Sequence, residues 1–167
     1  KQLPECLGEL CSLRTLHVEW LPKIKSLPQS LQHQHLTSLE DLRIHACHAL
    51  HELPEWLGDL CALCKLHISG LDGLACFPES MCRLTSLKEL CIDSCPLITS
   101  FPQGMESLAS LEKLCISRLG EIVSLPEGIK GFTALKKLEI IDFRNKILAI
   151  GYKMPHHSEE IGDQEVP

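Results

Sequence analysis

Aromatic residues are scarce in this chain of 167 residues, which contains four Phe, two Trp and one Tyr although 44% of its residues are hydrophobic. Any core must therefore be built from aliphatic side chains. No apolar run approaches the ~20 residues that a membrane-spanning helix needs. Basic residues are outnumbered, with 16 Lys and Arg against 22 Asp and Glu. Binding to a phosphate backbone relies on clustered Lys and Arg, so we expect no nucleic-acid partner.

Motifs of nucleotide binding and extracellular modification are also missing. The sequence has no G-x-x-x-x-G-K-[ST] phosphate-binding loop. Its sole Asn, Asn145, precedes Lys-Ile, so there is no N-glycosylation sequon. Ten cysteines are scattered along the chain and are not paired at its ends. This pattern predicts free thiols in a reducing compartment, and hence a cytoplasmic or nucleo-cytoplasmic location.

What the sequence does contain is a repeat. A Leu-Pro or Phe-Pro pair recurs six times in one phase, from Pro4 to Pro126, and the interval between these prolines is 24 residues except for one interval of 26; a further pair, Leu21-Pro22, lies outside this phase. The same apolar frame follows each proline; from Pro78 it reads Met81, Leu84, Leu87, Leu90 and Ile92. A fixed period in the twenties with an L-x-x-L-x-L core is typical of a leucine-rich-repeat solenoid.

This period predicts an α/β solenoid with a curved, concave sheet of about six parallel strands and short helices or turns on the convex side. Period-2 alternation places Leu66, Leu90 and Leu114 inward. Each proline is expected at the first position of a short helical turn, where its missing N–H costs nothing. The predicted strands are Leu13–Val18, Leu39–Ile44, Leu63–Ile68, Leu87–Ile92, Leu111–Ile116 and Leu135–Ile140.

The apolar frame also predicts the domain organisation. It accounts for six repeats of about 24 residues within residues 1–144 and fails after Phe143. Apolar residues in 145–152 are expected to cover the open edge of the last repeat. The polar, acidic stretch 153–167 is expected to be disordered, as unanchored termini usually are. The chain begins inside a repeat, so we interpret it as a fragment.

Outward strand positions form the candidate functional surface, because folding does not require them to be apolar. Solenoids of this type use their concave face for binding. Trp20, just beyond the first strand, is either an aromatic anchor for a partner or packs on a preceding repeat. The predicted protein-binding residues are Thr15, His17, Glu19, Trp20, Asp41, Arg43, His45, Lys65, His67, Glu89, Cys91, Asp93, Lys113, Cys115, Lys137 and Glu139.

Three groups of residues have metal-binding chemistry, but we expect no metal and no cofactor in this chain. His67, Cys91 and Cys115 are predicted neighbours across the sheet, His45, His48 and His51 share one loop, and Cys61-x-x-Cys64 lacks a second pair at zinc-finger spacing. A Cys-His pair on an open sheet lacks the enclosed pocket of a catalytic site. We therefore expect no enzymatic activity.

Five other cysteines have repeat-position explanations. They occupy slots that hold small or apolar residues in the other repeats, so we expect small buried hydrophobic side chains there. They are Cys11, Cys47, Cys61, Cys76 and Cys95.

The repeat consensus is L-P-[EQ]-x-[LIM]-x-x-L-[TCA]-[SA]-L-x-x-L-x-I, with Cys or Leu three residues past the Ile. Residues 84–102, which read LTSLKELCIDSCPLITSFP, show it well. Over residues 3–144 it resembles the leucine-rich repeats of plant intracellular nucleotide-binding (NB-LRR) disease-resistance proteins. None of the six units has the Gly-x-Ile-Pro feature that is usual in secreted plant repeats.

The resemblance implies a region that senses a pathogen effector or a host protein and helps to hold a receptor inactive in the defence response. It also implies an upstream domain, absent from this chain, that binds ADP or ATP. The partner would be an effector, a host protein or the receptor's own nucleotide-binding domain. The alternative is a freestanding intracellular repeat scaffold that binds a signalling protein such as a small GTPase.

Overall fold

The structure is a computed structural model, and it describes Leu3 and residues 10–32, 36–120, 131–141 and 147–150. Within these residues seven strands form one sheet in chain order. The first six are parallel, and the seventh pairs antiparallel with the sixth. The strands are β1 (Thr15–Glu19), β2 (Asp41–His45), β3 (Lys65–Ser69), β4 (Glu89–Cys95), β5 (Lys113–Leu119), β6 (Lys137–Ile141) and β7 (Ile147–Ile150).

The six predicted parallel strands are confirmed, but each begins two residues later than predicted. The residue at the predicted start, such as Leu63, lies in a turn where its N–H donates to the carbonyl oxygen of Leu60 at 2.9 Å. That donor is therefore not available to the neighbouring strand. The ladder starts beyond it, where the N–H of Lys65 bonds to the carbonyl oxygen of Glu40 at 2.9 Å.

A continuous aliphatic core lies behind the sheet. Leu66, Leu90 and Leu114 are completely buried, as the alternation predicts. In register they stack on one another from strand to strand. The few aromatic residues fill larger gaps: the rings of Phe77 and Phe101 stack with centroids 5.9 Å apart. Each repeat thus buries its apolar edge against the next repeat, as solenoid stability requires.

Short 3-10 helices follow the prolines and pack against one another along the chain. The predicted position of proline is wrong in all four, which begin at Gln29, Glu55, Glu79 and Met105. Pro54 and Pro78 are extended N-cap residues and not the first helical residue. The reason is the tight turn itself, in which the carbonyl oxygen of Pro54 accepts the first hydrogen bond, from Leu57 at 3.0 Å. These helices are Gln29–Gln32, Glu55–Asp59, Glu79–Arg83 and Met105–Ser107.

No helix in the described part of the chain is long and apolar enough to cross a membrane.

A repeated corner lies at or next to the C-terminal end of the strand in each of the first five repeats. One residue there takes a positive φ between 48° and 63°, and in the first three its N–H bonds to the next strand at 3.0 Å. A side chain in this conformation is strained unless the residue is glycine. The corner turns the chain away from the sheet, so side chains here lie at the edge of the concave face. The residues are Trp20, Ala46, Gly70, Ser94 and Arg118.

The predicted division of the chain into three segments stays a prediction. Strand β7 falls inside the segment 145–152 that is expected to cover the last repeat, and it pairs with β6. The stretch 153–167 lies outside the described residues.

We predict that Leu66→Ala destabilises the fold by about 2–5 kcal/mol, because it empties a completely buried slot between stacked strands. The neighbouring change Lys65→Ala should cost no more than about 0.5 kcal/mol, because Lys65 points outward and is exposed. Urea unfolding of the two variants measures the difference. Equal unfolding midpoints would contradict the assignment of the two faces.

Candidate functional site

The outward side chains of β1–β6 form three columns across the concave face. The strand register aligns the predicted outward positions from strand to strand, because parallel strands of equal repeat length place the same position of every repeat side by side. The first column is Thr15, Asp41, Lys65, Glu89, Lys113 and Lys137. The central column is His17, Arg43, His67, Cys91, Cys115 and Glu139. The third column is Glu19, His45, Ser69, Asp93, Ser117 and Ile141.

Glu89 lies at the centre of a polar cluster that joins three strands. Its Oε1 accepts a hydrogen bond from Lys113 Nζ and lies 3.5 Å from His67 Nε2 and 3.7 Å from Cys91 Sγ. Burial acts to raise the pKa of the Glu89 carboxyl, but the hydrogen bond and charge of Lys113 outweigh it, and the pKa is lowered. The carboxylate is therefore held in its charged form.

Cys91 and Cys115 are direct neighbours on β4 and β5. The thiol of Cys115 also donates to Glu139 Oε2 at 3.1 Å. The hydrogen bond with Cys115 lowers the pKa of Cys91, and the same bond raises the pKa of Cys115. Of the two thiols, Cys91 is therefore the more readily ionised, and the thiolate is the reactive and metal-binding form of cysteine.

Asp93 organises a second polar cluster in the third column. It accepts hydrogen bonds from Ser69 (3.2 Å), Ser94 (3.2 Å), Ser117 and Arg118, whose Nε lies 2.9 Å away. Burial acts to raise the pKa of Asp93, but the bonds from Arg118 and Ser117 lower it overall. Ser69 and Ser117 occupy predicted outward positions but are not among the predicted binding residues, and nothing in the repeat pattern indicates a role for Ser94 or Arg118.

Most of the other charges on the concave face are paired within it. Arg43 holds both carboxylate oxygens of Asp41, at 3.0 and 3.1 Å, and this lowers the pKa of Asp41. Lys137 pairs with Glu139 at 2.8 Å. Lys65 is exposed and makes no ion pair among the described residues. The face thus combines both signs of charge with one unpaired cation near its centre.

Trp20 stands at the edge of this face with 70% of its surface exposed. Its ring meets His45 edge-on, with centroids 5.2 Å apart and planes at 87°. The two interpretations of Trp20, as a partner anchor or as a contact for a preceding repeat, both stay predictions. The second tryptophan, Trp56, is 4% exposed and belongs to the core.

The five cysteines that are expected to be buried from their repeat positions divide into two groups. Cys47 and Cys95 are completely buried, as predicted, and burial raises the pKa of Cys95 to about 11. The prediction of burial is wrong for Cys11, Cys61 and Cys76, which are exposed. The slot of Cys61 lies in the turn before the strand, where its side chain points away from the core and donates to the carbonyl oxygen of Asp59 at 3.3 Å.

Two of the groups considered for metal binding do not converge. His48 pairs with Asp72 at 2.8 Å, His51 lies against a backbone oxygen, and His45 lies beside Trp20. The thiols of Cys61 and Cys64 bond to separate backbone oxygens. The third group converges only in part: His67 and Cys91 come together with Glu89, which was not predicted as a ligand, and Cys115 lies outside this cluster. The ligand atoms of His67, Glu89 and Cys91 all lie within 4.8 Å of one another.

The parallel sheet, the stacked leucines and the polar concave columns define a solenoid repeat protein of a class that generally mediates protein interactions. A family model described as leucine-rich repeat region matches residues 32–154, so the chain belongs to this family. The sequence matches none of the curated proteins with which it was compared.

Solved structures with the same fold agree with this assignment. The leucine-rich repeat domain of the type III effector XopL is 26% identical, with a TM-score of 0.72, over 82% of this chain and 48% of that one. A leucine-rich-repeat protein of Leptospira interrogans is 21% identical, with a TM-score of 0.58, over 85% of this chain and 47% of that one. The chain thus spans about half the length of each.

We predict that Asp93→Asn destabilises the fold by about 1–3 kcal/mol at neutral pH, because Arg118 and Ser117 lose a charged acceptor. The pKa of Asp93 is lower in the folded chain than its ordinary value of 3.8. The Asp93 carboxylate therefore contributes its full share of the folding stability above pH 3.8, and this stability is lost as the pH falls through the pKa of the folded state.

Denaturant unfolding at neutral pH and near about pH 3 measures this dependence. The difference in the free energy of unfolding between the wild type and Asp93→Asn should be smaller at the acidic pH than at neutral pH. Asp72→Asn is the control, because Asp72 is an exposed carboxylate outside the cluster. A gap that is equal at both pH values would show that the charge of Asp93 does not stabilise the fold.

Proposed function

We propose that this chain is the protein-recognition region of a plant intracellular immune receptor that acts in the defence response, and that it binds its partner with the concave face. The observation that carries the binding role is the register of the sheet, which arrays charged and polar side chains over six strands. None of these side chains is needed to fill the core. The resemblance of the repeat consensus to NB-LRR proteins supports the narrower assignment.

The charge pattern of the face suits a specific protein partner. Asp41, Arg43, Glu89 and Lys113 are held in fixed positions by their mutual bonds. Fixed charges of both signs discriminate between partners by local matching and add less through bulk attraction. Because these side chains are ordered before binding, they lose little further conformational freedom in a complex.

The remaining parts of the assignment follow from the same proposal. The partner is a pathogen effector, a host protein or the receptor's own nucleotide-binding domain. The protein acts in the cytoplasm, the chain itself catalyses no reaction, and ADP or ATP binds to an upstream domain. The sequence that precedes Lys1 in the full-length protein tests this directly. A phosphate-binding loop there is expected, and its absence would favour the freestanding scaffold.

We predict that Lys65→Glu weakens recognition about tenfold or more, which corresponds to about 1.4 kcal/mol. Lys65 is the exposed and unpaired cation of the first column, so its reversal changes the face without breaking an internal ion pair. In the full-length receptor the expected result is loss of the response, or constitutive signalling if the contact holds the receptor inactive. The unfolding temperature should fall only slightly, because a glutamate at position 65 would face Asp41 and Glu89 in register on an exposed part of the sheet.

Lys25→Glu is the matched control, because Lys25 is an exposed lysine in a loop outside the sheet. A second control reverses Glu79 and Glu106 on the 3-10 helices, where both side chains are exposed. If the control changes alter signalling and Lys65→Glu does not, the functional surface lies on another side of the solenoid.

A further inference from the structure

We propose that His67, Glu89 and Cys91 bind a Zn²⁺ ion on the concave face, with Cys115 as the fourth ligand. This site is independent of the protein partner proposed above. The sequence alone predicted no metal here. The sheet register, however, brings the side chains of His67, Glu89 and Cys91 together.

The three donor atoms are already close enough to share an ion. The imidazole nitrogen, the carboxylate oxygen and the sulfur all lie within 4.8 Å of one another. Zinc bonds of about 2.0–2.3 Å in a tetrahedron place neighbouring ligand atoms about 3.3–3.8 Å apart. The three donor atoms can move to these shorter separations by rotation of their side chains, because the backbones of His67 and Cys91 are already paired across β3 and β4.

His67 carries a second and independent sign of a missing ligand. Its Nε2 is buried, yet it has no hydrogen-bond partner among the described residues. The nearest acceptor, Glu89 Oε1, lies 3.5 Å away. A buried polar atom normally finds a partner, and each exception needs an explanation such as an ion. A metal bound by Nε2 satisfies this atom.

The other contacts of the cluster are compatible with an ion. The contacts of the Glu89 carboxylate with Lys113, His67 and Cys91 are all made by Oε1, so the second oxygen can face the metal. Cys115 lies beside Cys91 in register but outside the three donor atoms that already converge, so its thiol must leave the carboxylate of Glu139 and turn towards Cys91 to complete the ligand set. The positive charge of Lys113 offsets the surplus negative charge of one carboxylate and two thiolates around a divalent ion.

The donor set selects the kind of metal. Imidazole and thiolate are ligands that Zn²⁺ prefers, whereas Mg²⁺ and Ca²⁺ take oxygen ligands. Each thiol that binds releases a proton, so binding of Zn²⁺ through Cys91 and Cys115 frees two protons. The site is partly open, since His67 is 27% and Glu89 20% exposed, and an ion can enter from solvent.

The experiment uses the whole chain, reduced with a phosphine so that no added thiol competes for metal. Zn²⁺ is titrated against a chromophoric chelator, and Co²⁺ is then bound as a spectroscopic substitute. We expect one ion per chain, with thiolate-to-cobalt charge transfer and the strong visible bands of tetrahedral Co²⁺. Bound Zn²⁺ should also raise the unfolding temperature, because the assembled site binds the ion more tightly than the unfolded chain does.

The variants Cys91→Ser and His67→Ala should each weaken Zn²⁺ binding about a hundredfold or more, since loss of even an outer partner of a ligand costs 10–100-fold. Cys115→Ser should weaken binding and reduce the thiolate-to-cobalt absorption. Cys64→Ser and His51→Ala are the matched controls, as a partly exposed cysteine and an exposed histidine outside the cluster. They should bind Zn²⁺ like the wild type.

Unfolding curves without metal show whether each variant is folded, and the outward position of His67 and Cys91 predicts that both are. The proposal is overturned if the wild type binds no Zn²⁺ against the chelator. It is also overturned if Cys64→Ser lowers binding as much as Cys91→Ser, because the metal would then be held by any accessible thiol. Unchanged cobalt spectra for Cys115→Ser would remove Cys115 from the ligand set.

Discussion

The stacking of inward leucines in exact repeat register is the constraint on which the rest of this structure depends. Leu42, Leu66, Leu90 and Leu114 align from strand to strand and leave almost no surface to solvent. A slip of one residue would turn every one of these side chains outward. The burial of the leucines therefore also fixes which side chains form the concave columns, and in what order.

Stacking at a spacing of about 4.8 Å also brings charges into contact across repeats. In the first column Asp41, Lys65, Glu89 and Lys113 alternate in sign; Glu89 and Lys113 form an ion pair across strands, whereas Asp41 pairs with Arg43 on its own strand. The alternation stops at Lys137, and there the side chain pairs with Glu139 on its own strand. Opposite charges on facing positions stabilise a sheet and like charges destabilise it, so the column order is compatible with the fold as well as with binding.

The two polar clusters differ in a way that separates structure from function. Asp93 has its hydrogen bonds met by Ser69, Ser94, Ser117 and Arg118, so it is suited to holding the repeats together. The Glu89 cluster retains an unsatisfied imidazole nitrogen and two adjacent thiols on the open face. The polar atoms of the Asp93 cluster already have partners within the protein and are poorly placed to bind a ligand. The Glu89 cluster still has an imidazole nitrogen that lacks a partner among the described residues, and this atom can bind one.

The sequence by itself determined the period, the six parallel strands, the inward leucines, the outward columns and the burial of Cys47 and Cys95. These follow from two periodicities, the 24-residue repeat and the alternation along a strand, which need no knowledge of side-chain rotamers. The tertiary structure decided what lies between repeats. It exposed Cys11, Cys61 and Cys76, because direction in a turn follows local backbone bonds and not the alternation. It brought Arg118 to Asp93 and His67 to Glu89 and Cys91, because residues 22 to 25 positions apart meet only when the repeats stack.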